Sequence, residues 1–299
     1  MNNCIVFSIP GSEKLCHSLT GLLHAEAGEA VIRRFPDGET YVKVLSNVYG
    51  KDAVIVCSLH HPDNKILPLY FLAKTLKEFR ASSVTLVAPY LAYMRQDKRF
   101  SDGECITSTL FAQLISGFID KLITIDPHLH RRSSLSQIYS IHSSVLHVKT
   151  LIADWVRQHV NKALLIGPDS ESEQWVSKVA ADADAPFIVL SKIRSGDRKV
   201  QVSVPDVEQY KNHTPVLVDD IISTAHTMIE TVGHLKKAGM KPPVCIGIHP
   251  VMSSRAYGKL INAGAERIVT CNSIIHPSNR IKVDELLADE VCKNCFVIN

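Results

Sequence analysis

One short segment combines two carboxylates with a run of hydroxyl side chains. Asp219 and Asp220 follow the apolar run 216–218. Three hydroxyl residues come soon after them: Ser223, Thr224 and Thr227. Ligands of open α/β sheets bind beyond the carboxyl ends of strands, and hydroxyl and N–H groups at a helix N-terminus suit a phosphate. The carboxylates could accept from sugar hydroxyls or hold Mg²⁺ through water. The pattern favours a ligand site over an acidic turn with a helix cap.

A second segment, residues 88–104, places basic and aromatic side chains directly after an apolar run. Its basic residues are Arg95, Lys98 and Arg99. Guanidinium and ammonium groups at a strand end could clamp a polyphosphate. A solvated charged loop is the simpler alternative, and the segment on its own slightly favours it.

Three more polar clusters follow apolar runs. Asp126 and His128 could ligate a metal or act in acid–base chemistry, although a histidine is often only structural. Asp169 could hold a cation or cap the following helix. The basic segment 192–199 contains a glycine, which suits a mobile lid as well as any exposed loop. The chain has neither a GxxxxGK[ST] loop nor GxGxxG after a strand, so a nucleotide would need another mode of binding.

Apolar runs alternate with amphipathic stretches along the chain, which predicts an α/β protein with parallel sheets. The predicted strands are 4–9, 53–59, 84–89, 122–126, 163–167, 187–190, 216–218, 245–248 and 267–271. The predicted helices are 65–79, 107–117 and 225–238, and a hairpin is predicted over 31–45 with its turn at Pro36-Asp37-Gly38. The strand–helix series repeats on either side of residues 140–150. We therefore expect two domains, 1–147 and 148–299, with the last residues packing back on the first domain.

Composition excludes several classes of protein. The 299 residues are enough for about two domains, and 45% hydrophobic with 21% charged residues is the profile of a globular chain. A net charge of +3 gives no reason to expect a nucleic-acid or membrane partner. No apolar run approaches the roughly 20 residues of a membrane span, and the first residues read as a strand, not a signal peptide. The eight scattered cysteines predict reduced thiols and a cytoplasmic location. Cys292 and Cys295 have no second pair to complete a zinc site.

Six motifs, in order along almost the whole chain, resemble those of the ribose-phosphate diphosphokinase (phosphoribosyl pyrophosphate synthetase) family, in a divergent branch. They are Phe35-Pro-Asp37-Gly-Glu39; Tyr93-Met-Arg95-Gln96-Asp97 with Gly103-Glu104; Asp126-Pro-His128; Pro168-Asp169; Lys192-Ile-Arg194; and Val216 to Thr227.

The resemblance implies a fold of two doubly wound phosphoribosyltransferase-type domains with parallel sheets related by pseudo-symmetry. It implies Mg²⁺-dependent transfer of diphosphate from ATP to the anomeric hydroxyl of ribose 5-phosphate, which yields phosphoribosyl pyrophosphate and AMP. It also implies a homo-oligomer whose ATP site is shared between subunits.

The resemblance also assigns roles to individual residues. Those expected to bind ATP are Phe35, Asp37, Glu39, Arg95, Gln96 and Asp97. Those expected to bind ribose 5-phosphate are Asp219, Asp220, Ser223, Thr224, Ala225, His226 and Thr227. Lys192 and Arg194 would be catalytic, and His128 and Asp169 would hold the metal.

The phosphate loop departs from the family pattern at two positions. Ser223 stands where the family usually has Asp, and His226 stands where it usually has Gly. Glycine tolerates a positive φ, so either this loop takes a different backbone path or His226 offsets strain by contacting the ligand. Two alternatives to the active enzyme remain. One is a catalytically silent relative that binds nucleotide and assembles with another subunit, and the other is a phosphoribosyltransferase that consumes the activated sugar.

Overall fold

The computed structural model describes residues 3–129, 131–168, 172–190, 192–194, 200–202, 207–253 and 255–295. The chain divides into two compact units. The first comprises Met1–Leu146 with Val283–Asn299, and the second comprises His147–Lys282. The first unit therefore includes both ends of the chain.

The first unit is built on a six-stranded parallel sheet with the order β2-β1-β5-β6-β7-β8. Its strands are β1 (Cys4–Ser8), β2 (Glu26–Ala27), β3 (Ala30–Arg34), β4 (Thr40–Val44), β5 (Asp52–Val56), β6 (Ser83–Ala88), β7 (Lys121–Ile125) and β8 (His142–Leu146). Its helices are α1 (Glu13–Leu22), α2 (Asp63–Glu78) and α3 (Thr107–Ser116). A fourth helix, α8 (Asp284–Cys295), follows the second unit in sequence but belongs to the first. Strands β3 and β4 form a separate antiparallel hairpin between β2 and β5.

The second unit repeats this design, with the sheet order β10-β9-β13-β14-β15-β16. Its helices are α4 (Lys149–His159), α5 (Glu173–Asp182), α6 (His226–Lys237) and α7 (Ala256–Ala263). Its strands are β9 (Ala163–Gly167), β10 (Phe187–Val189), β11 (Lys192–Arg194), β12 (Val200–Val202), β13 (Thr214–Ile222), β14 (Val244–Pro250), β15 (Arg267–Cys271) and β16 (Asn279–Ile281). An antiparallel pair, β11 and β12, comes between β10 and β13 along the chain, as β3 and β4 come between β2 and β5. The predicted pair of similar parallel α/β units is confirmed.

The central strands of both sheets are buried on both faces, which explains why they read as continuous apolar runs. In β1, β5 and β6 only one end residue of each strand is not fully buried, and every residue of β14 is buried. Helices cover the sheets with one apolar stripe each; in α2 the buried stripe includes Leu69, Leu72 and Leu76.

Most predicted elements are confirmed, but two differ in the second unit. The strand predicted over 216–218 continues to Ile222, because β13 keeps pairing with β14 through Asp219 opposite Gly247 and Ile222 opposite Pro250. Residues 192–194, predicted as part of a basic loop, form β11 and pair with β12. Across the residues that the structure describes, no helix has the length and apolarity needed to cross a membrane.

Candidate functional site

The tip of the β3–β4 hairpin presents an aromatic ring and two carboxylates to solvent. Phe35 donates its N–H to Glu39 O at 2.8 Å, and Gly38 takes φ +96°, a left-handed conformation that glycine adopts without strain. Asp37 Oδ1 accepts from the Glu39 N–H at 3.1 Å and closes the turn. All three predicted ligand residues of this turn, Phe35, Asp37 and Glu39, are exposed, so they are free to meet a molecule outside their own unit.

In the segment after β6, the polar side chains of residues 95–97 differ in their exposure to solvent. Arg95 is exposed and Gln96 is half-buried, whereas the Asp97 side chain is only 2% exposed. Asp97 Oδ1 accepts from Arg131 Nη1 at 2.9 Å. Arg132 adds a longer contact at 3.4 Å to the Asp97 carbonyl. Asp97 is thus turned inward toward the segment after β7, and Arg95 and Gln96 are the two side chains placed to meet a ligand.

The loop that follows Asp97 is organised by one carboxylate. Glu104 Oε2 accepts from the N–H groups of Phe100 and Ser101 at 2.8 and 3.2 Å, and its carbonyl accepts from Arg99 Nε at 3.0 Å. The Phe100 ring lies 5.5 Å from the Arg131 guanidinium. Arg131 therefore contacts Asp97 and Phe100 at the start of this loop and links the loop to the segment that carries His128.

The predicted metal ligand His128 lies three residues beyond the end of β7 and is half-buried. Two residues earlier, Asp126 donates its N–H to Leu146 O at 2.9 Å, which anchors the segment to the end of β8. The ion pair between Asp97 and Arg131 brings this segment beside the one that carries Arg95 and Gln96. Two motifs that lie 30 residues apart in sequence are thereby joined at the carboxyl edge of one sheet.

The two aspartates of the second unit lie within β13, not after it. Both are half-buried, and Asp219 Oδ1 accepts from the Asp220 N–H at 2.9 Å. Beside them in β14, a Cβ on Gly247 would lie 2.5 Å from the Ile222 side chain, so only glycine lets the end of β13 pack this closely. The extension of β13 holds both carboxylates in a regular strand at the carboxyl edge of the sheet.

The loop from Ser223 to Ala225 joins β13 to α6. Its last residue, Ala225, has φ +62° and immediately precedes His226, the first residue of the helix. The left-handed position is thus Ala225, and His226 has ordinary helical backbone. The backbone strain that the second explanation assigned to His226 therefore lies at Ala225 instead. Thr224 and His226 are exposed and Thr227 is half-buried, so the loop and the first turn of α6 present polar groups together.

Backbone strain occurs in three of these segments. Tyr93, Asp126 and Ala225 have φ of +62°, +32° and +62°, each a few residues beyond or before a strand or helix end. Such conformations in residues other than glycine concentrate where a fold must hold functional groups in place. The Tyr93 hydroxyl donates to the Asp63 carboxylate, and this bond raises the pKa of Tyr93 to about 12.

Three predicted residues cannot be placed at the level of side chains. Asp169 lies outside the described residues, and for Lys192 and Arg194 the structure gives the strand β11 but not the side chains. Among the side chains it does describe, no group of three or more His, Cys, Asp or Glu is arranged to hold a metal ion. Mg²⁺ commonly takes only one or two protein carboxylates and completes its shell with water and substrate phosphates. The adjacent Asp219 and Asp220 carboxylates fit that requirement.

The sequence did not predict the basic residues that hold the site segments in place through contacts with them. Arg131 and Arg132 follow the Asp126–His128 motif and had no predicted role, yet both contact Asp97, and Arg132 also reaches the Thr109 hydroxyl at 3.2 Å. Lys65 was counted only as a helix residue, yet it is buried beside Ser58 at the carboxyl edge of the first sheet. The residues before Lys65, from His60 to Asn64, are mostly polar, so nothing in the local sequence predicts its burial. Nothing in the sequence pairs Arg131 with Asp97.

Comparison with known proteins agrees with this architecture. Residues 134–286 match the model of the phosphoribosyl transferase domain, so the chain is a protein of the phosphoribosyltransferase class. Residues 4–118 match the model of the N-terminal domain of ribose phosphate pyrophosphokinase. The chain belongs to the ribose-phosphate pyrophosphokinase family and is an enzyme of that family.

Individual relatives are distant but cover nearly the whole chain. The ribose-phosphate pyrophosphokinase of Methanobrevibacter smithii is 29% identical over 86% of this chain and 89% of its own. That of Methanothermobacter thermautotrophicus is 28% identical over 95% of this chain and 99% of its own. The crystal structure of phosphoribosylpyrophosphate synthetase from Mycobacterium smegmatis superposes with a TM-score of 0.85 and 24% identity, and covers 98% of this chain and 99% of that one. This last likeness establishes the fold.

Proposed function

We propose that the protein transfers the terminal diphosphate of ATP to the anomeric hydroxyl of ribose 5-phosphate, with Mg²⁺, and releases AMP. The observation that carries this proposal is the β13–α6 segment. Two carboxylates at the carboxyl edge of a parallel sheet lead, through a loop with a left-handed residue, into the N-terminus of a 12-residue helix. Carboxylates suit sugar hydroxyls, and a helix N-terminus suits a phosphate.

The sugar phosphate would lie against this segment. The N–H groups at the start of α6 and the hydroxyls of Thr224 and Thr227 would hold the 5-phosphate. Ser223 would add a further donor at the start of the loop. His226, exposed at the first helical position, can donate to the same phosphate. Asp219 and Asp220 would accept from the ribose hydroxyls and so orient the anomeric oxygen.

ATP would be bound by residues of the first unit. Arg95 and Gln96 would bind the nucleotide, while Asp97 would act through Arg131 as a positioning residue. Phe35 is exposed at the hairpin tip and would stack on an adenine, with Asp37 and Glu39 beside the amino group of the base. In a homo-oligomer that adenine would belong to the ATP of a neighbouring subunit.

Catalysis would consist mainly of positioning and charge neutralisation. Attack of the anomeric oxygen on the β-phosphorus forms one P–O bond and breaks the bond to AMP, with loss of the hydroxyl proton. Lys192 and Arg194 would neutralise charge that develops on the transferring group. Residues suited to hold Mg²⁺ are His128, Asp169 and the Asp219-Asp220 pair, and the ion would supply charge neutralisation on the phosphate oxygens.

The test is to incubate the protein with ATP, ribose 5-phosphate and Mg²⁺ and to quantify AMP and phosphoribosyl pyrophosphate. We expect equal amounts of both products, none without ribose 5-phosphate, and loss of turnover with EDTA. Lys192→Ala should lower kcat by about 10²-fold or more with little change in KM. Nucleotide binding without turnover would instead indicate the silent relative. Consumption of phosphoribosyl pyrophosphate with a base would indicate a phosphoribosyltransferase.

We also propose that α2 and α3 contribute to a surface between copies of this chain. Leu67, Leu110 and Leu114 are 55%, 57% and 45% exposed and line one groove with Phe111. An exposed apolar patch of this kind commonly marks an interface. Leu110→Lys should reduce the sedimentation coefficient, whereas Leu22→Lys on α1, an exposed position (44%) outside the groove, should not. An unchanged assembly in both variants would place the interface elsewhere.

A further inference from the structure

A cavity of about 420 Å³ in the first unit is lined by basic side chains. It lies between the β3–β4 hairpin, the end of β1 and the first turns of α2. Arg33, Arg34 and Lys65 line it together with the polar side chains of Thr40 and Asn64, and Ile and Pro residues form the rest of the wall. None of the described residues that line it carries a carboxylate. The Arg33 guanidinium lies against the Phe35 and Tyr41 rings, so Arg34 and Lys65 are the two cations left for the cavity. A cavity with two cations and no acid favours an anion.

Lys65 is the most buried of these cations, at 8% exposure. Its Nζ donates to Ser58 O at 2.6 Å and lies 3.1 Å from His60 Nδ1, and both of these partners are uncharged groups. Burial lowers the pKa of Lys65. Burial first, and then the neighbouring Lys65 charge, lower the pKa of His60 to about 4, so His60 adds no charge at neutral pH.

No counter-ion for Lys65 lies within 4 Å in the part of the chain that the structure describes. The Glu13 carboxylate acts on it only at longer range, and its two oxygens already accept from the Gly11 N–H at 2.9 and 3.0 Å. A buried ammonium whose hydrogen-bond partners are both uncharged is costly to the fold, and a bound anion would offset that cost. The charge on Lys65 is therefore best explained by a ligand.

Arg34 approaches the same cavity from the hairpin. Its guanidinium makes one long contact, 3.4 Å, to Asn64 Oδ1 on α2, and it has no ion pair with any described residue. Arg33, its neighbour in β3, lies 4.7 Å from the Phe35 ring and 4.3 Å from the Tyr41 ring. An anion between Arg34 and Lys65 would hold the turn end of the hairpin against α2, and Phe35 follows Arg34 directly.

The cavity lies where the first unit has its equivalent of the β13–α6 loop of the second unit. The two sheets have the same strand order, so β5 and α2 of the first unit correspond to β13 and α6 of the second. His61 has φ +51° shortly before α2, as Ala225 has φ +62° before α6. The β3–β4 hairpin likewise corresponds to the β11–β12 pair. The cavity thus lies at the first unit's counterpart of the loop for which we propose phosphate binding.

We propose that the cavity binds a phosphate-bearing anion, either orthophosphate or the phosphate of a nucleotide, between Arg34 and Lys65, and that this anion fastens the β3–β4 hairpin to α2. The N–H groups of Asn64 and Lys65 already donate to His61 O and Pro62 O at 3.4 and 2.8 Å. The side chains of Arg34 and Lys65 are therefore the groups that bind. The inference concerns a site separate from the proposed reaction and does not require that reaction.

The experiment is a titration of the full-length protein with orthophosphate, followed by calorimetry and by thermal unfolding. We expect saturable binding that raises the unfolding temperature and slows hydrogen exchange of the Phe35 amide. Arg34→Gln should weaken binding about tenfold or more, because it removes one charged partner of the anion. Lys43→Gln, which removes an exposed charge from the same hairpin outside the cavity, should leave binding unchanged.

Lys65→Met separates binding from folding. Without phosphate this variant should unfold at the same or a higher temperature than the wild type, because it removes a buried unpaired charge. Phosphate should no longer stabilise it. Equal stabilisation of wild type, Arg34→Gln and Lys65→Met by phosphate would overturn the proposal, as would the absence of saturable binding to the wild type.

Two further measurements locate the bound anion and identify its source. If binding is lost in Thr224→Ala with Thr227→Ala but kept in Arg34→Gln, phosphate binds the α6 loop, and the cavity proposal fails while the proposed function stands. AMP is titrated beside orthophosphate. Tighter binding of AMP that disappears in Arg34→Gln would identify a nucleotide as the source of the phosphate, and tighter binding of orthophosphate than of AMP would identify orthophosphate.

Discussion

The ion pair between Asp97 and Arg131 gives the sharpest test of how the first unit is assembled. The Asp97 side chain is 2% exposed, and its Oδ2 has no hydrogen-bond partner among the described residues. Arg131→Ala would leave this carboxylate buried and unpaired. Breaking a fully buried pair costs about 3–5 kcal/mol. Because the Arg131 side chain is 39% exposed, water can reach the vacated position. We therefore expect a loss of about 2–3 kcal/mol.

A double-mutant cycle measures the interaction itself. Asp97→Asn removes the charge and keeps the shape, so Arg131→Ala in that background should cost only about 1 kcal/mol or less. The measurement is calorimetric unfolding of the four proteins, with Arg99→Ala as the control for loss of a neighbouring cation. Within the described part of the chain, Arg99 bonds only to a carbonyl in an exposed loop.

The functional readout is the KM for ATP. If Asp97 positions Arg95 and Gln96 through Arg131, then Arg131→Ala should raise this KM, with a smaller effect on kcat. Additive stability losses in the cycle, or a loss below about 0.5 kcal/mol for Arg131→Ala, would refute the reasoning, because either result would mean that the carboxylate does not depend on the guanidinium.

Three further changes probe the backbone, the sugar site and the response to acid. Ala225→Gly should raise the free energy of unfolding by about 0.5–1 kcal/mol in thermal unfolding, because glycine has no Cβ to strain at φ +62°. A combined Asp219→Asn and Asp220→Asn should weaken ribose 5-phosphate binding about tenfold or more in calorimetry, with ATP binding nearly kept; equal losses would indicate a shared metal site. In the folded protein the pKa of His60 is lowered to about 4, so His60 is neutral at pH 7. Below its ordinary pKa, the unfolded chain takes up a proton at His60 and the folded protein does not. The free energy of unfolding therefore falls as the pH falls from about 6.5 toward 4. His60→Asn should therefore reduce the loss of stability between pH 7 and pH 4 by about 1–2 kcal/mol, and an unchanged loss would contradict this.

The sequence by itself determined the class of fold and the order of its elements. Strands buried on both faces must be apolar at every position, so their runs stand out from the amphipathic helices without any knowledge of the fold. Pro36, Asp37 and Gly38 likewise predict the hairpin turn, because each restricts or permits a particular local backbone conformation. Chemically distinctive clusters at strand ends, such as Asp219 and Asp220, were visible for the same reason.

Only the tertiary structure decided features that depend on a distant partner. The end of β13 is set by its pairing with β14, and apolar patterning stopped at the first aspartate. Asp97 faces inward because Arg131, from another strand end, lies 2.9 Å away. Lys65 is buried because the hairpin packs over α2, although its sequence neighbours suggest nothing unusual. The positive φ of Ala225 follows from the connection of an extended strand to a helix. Pairing, burial and strain of this kind arise from contacts between segments far apart in sequence, which no local pattern contains.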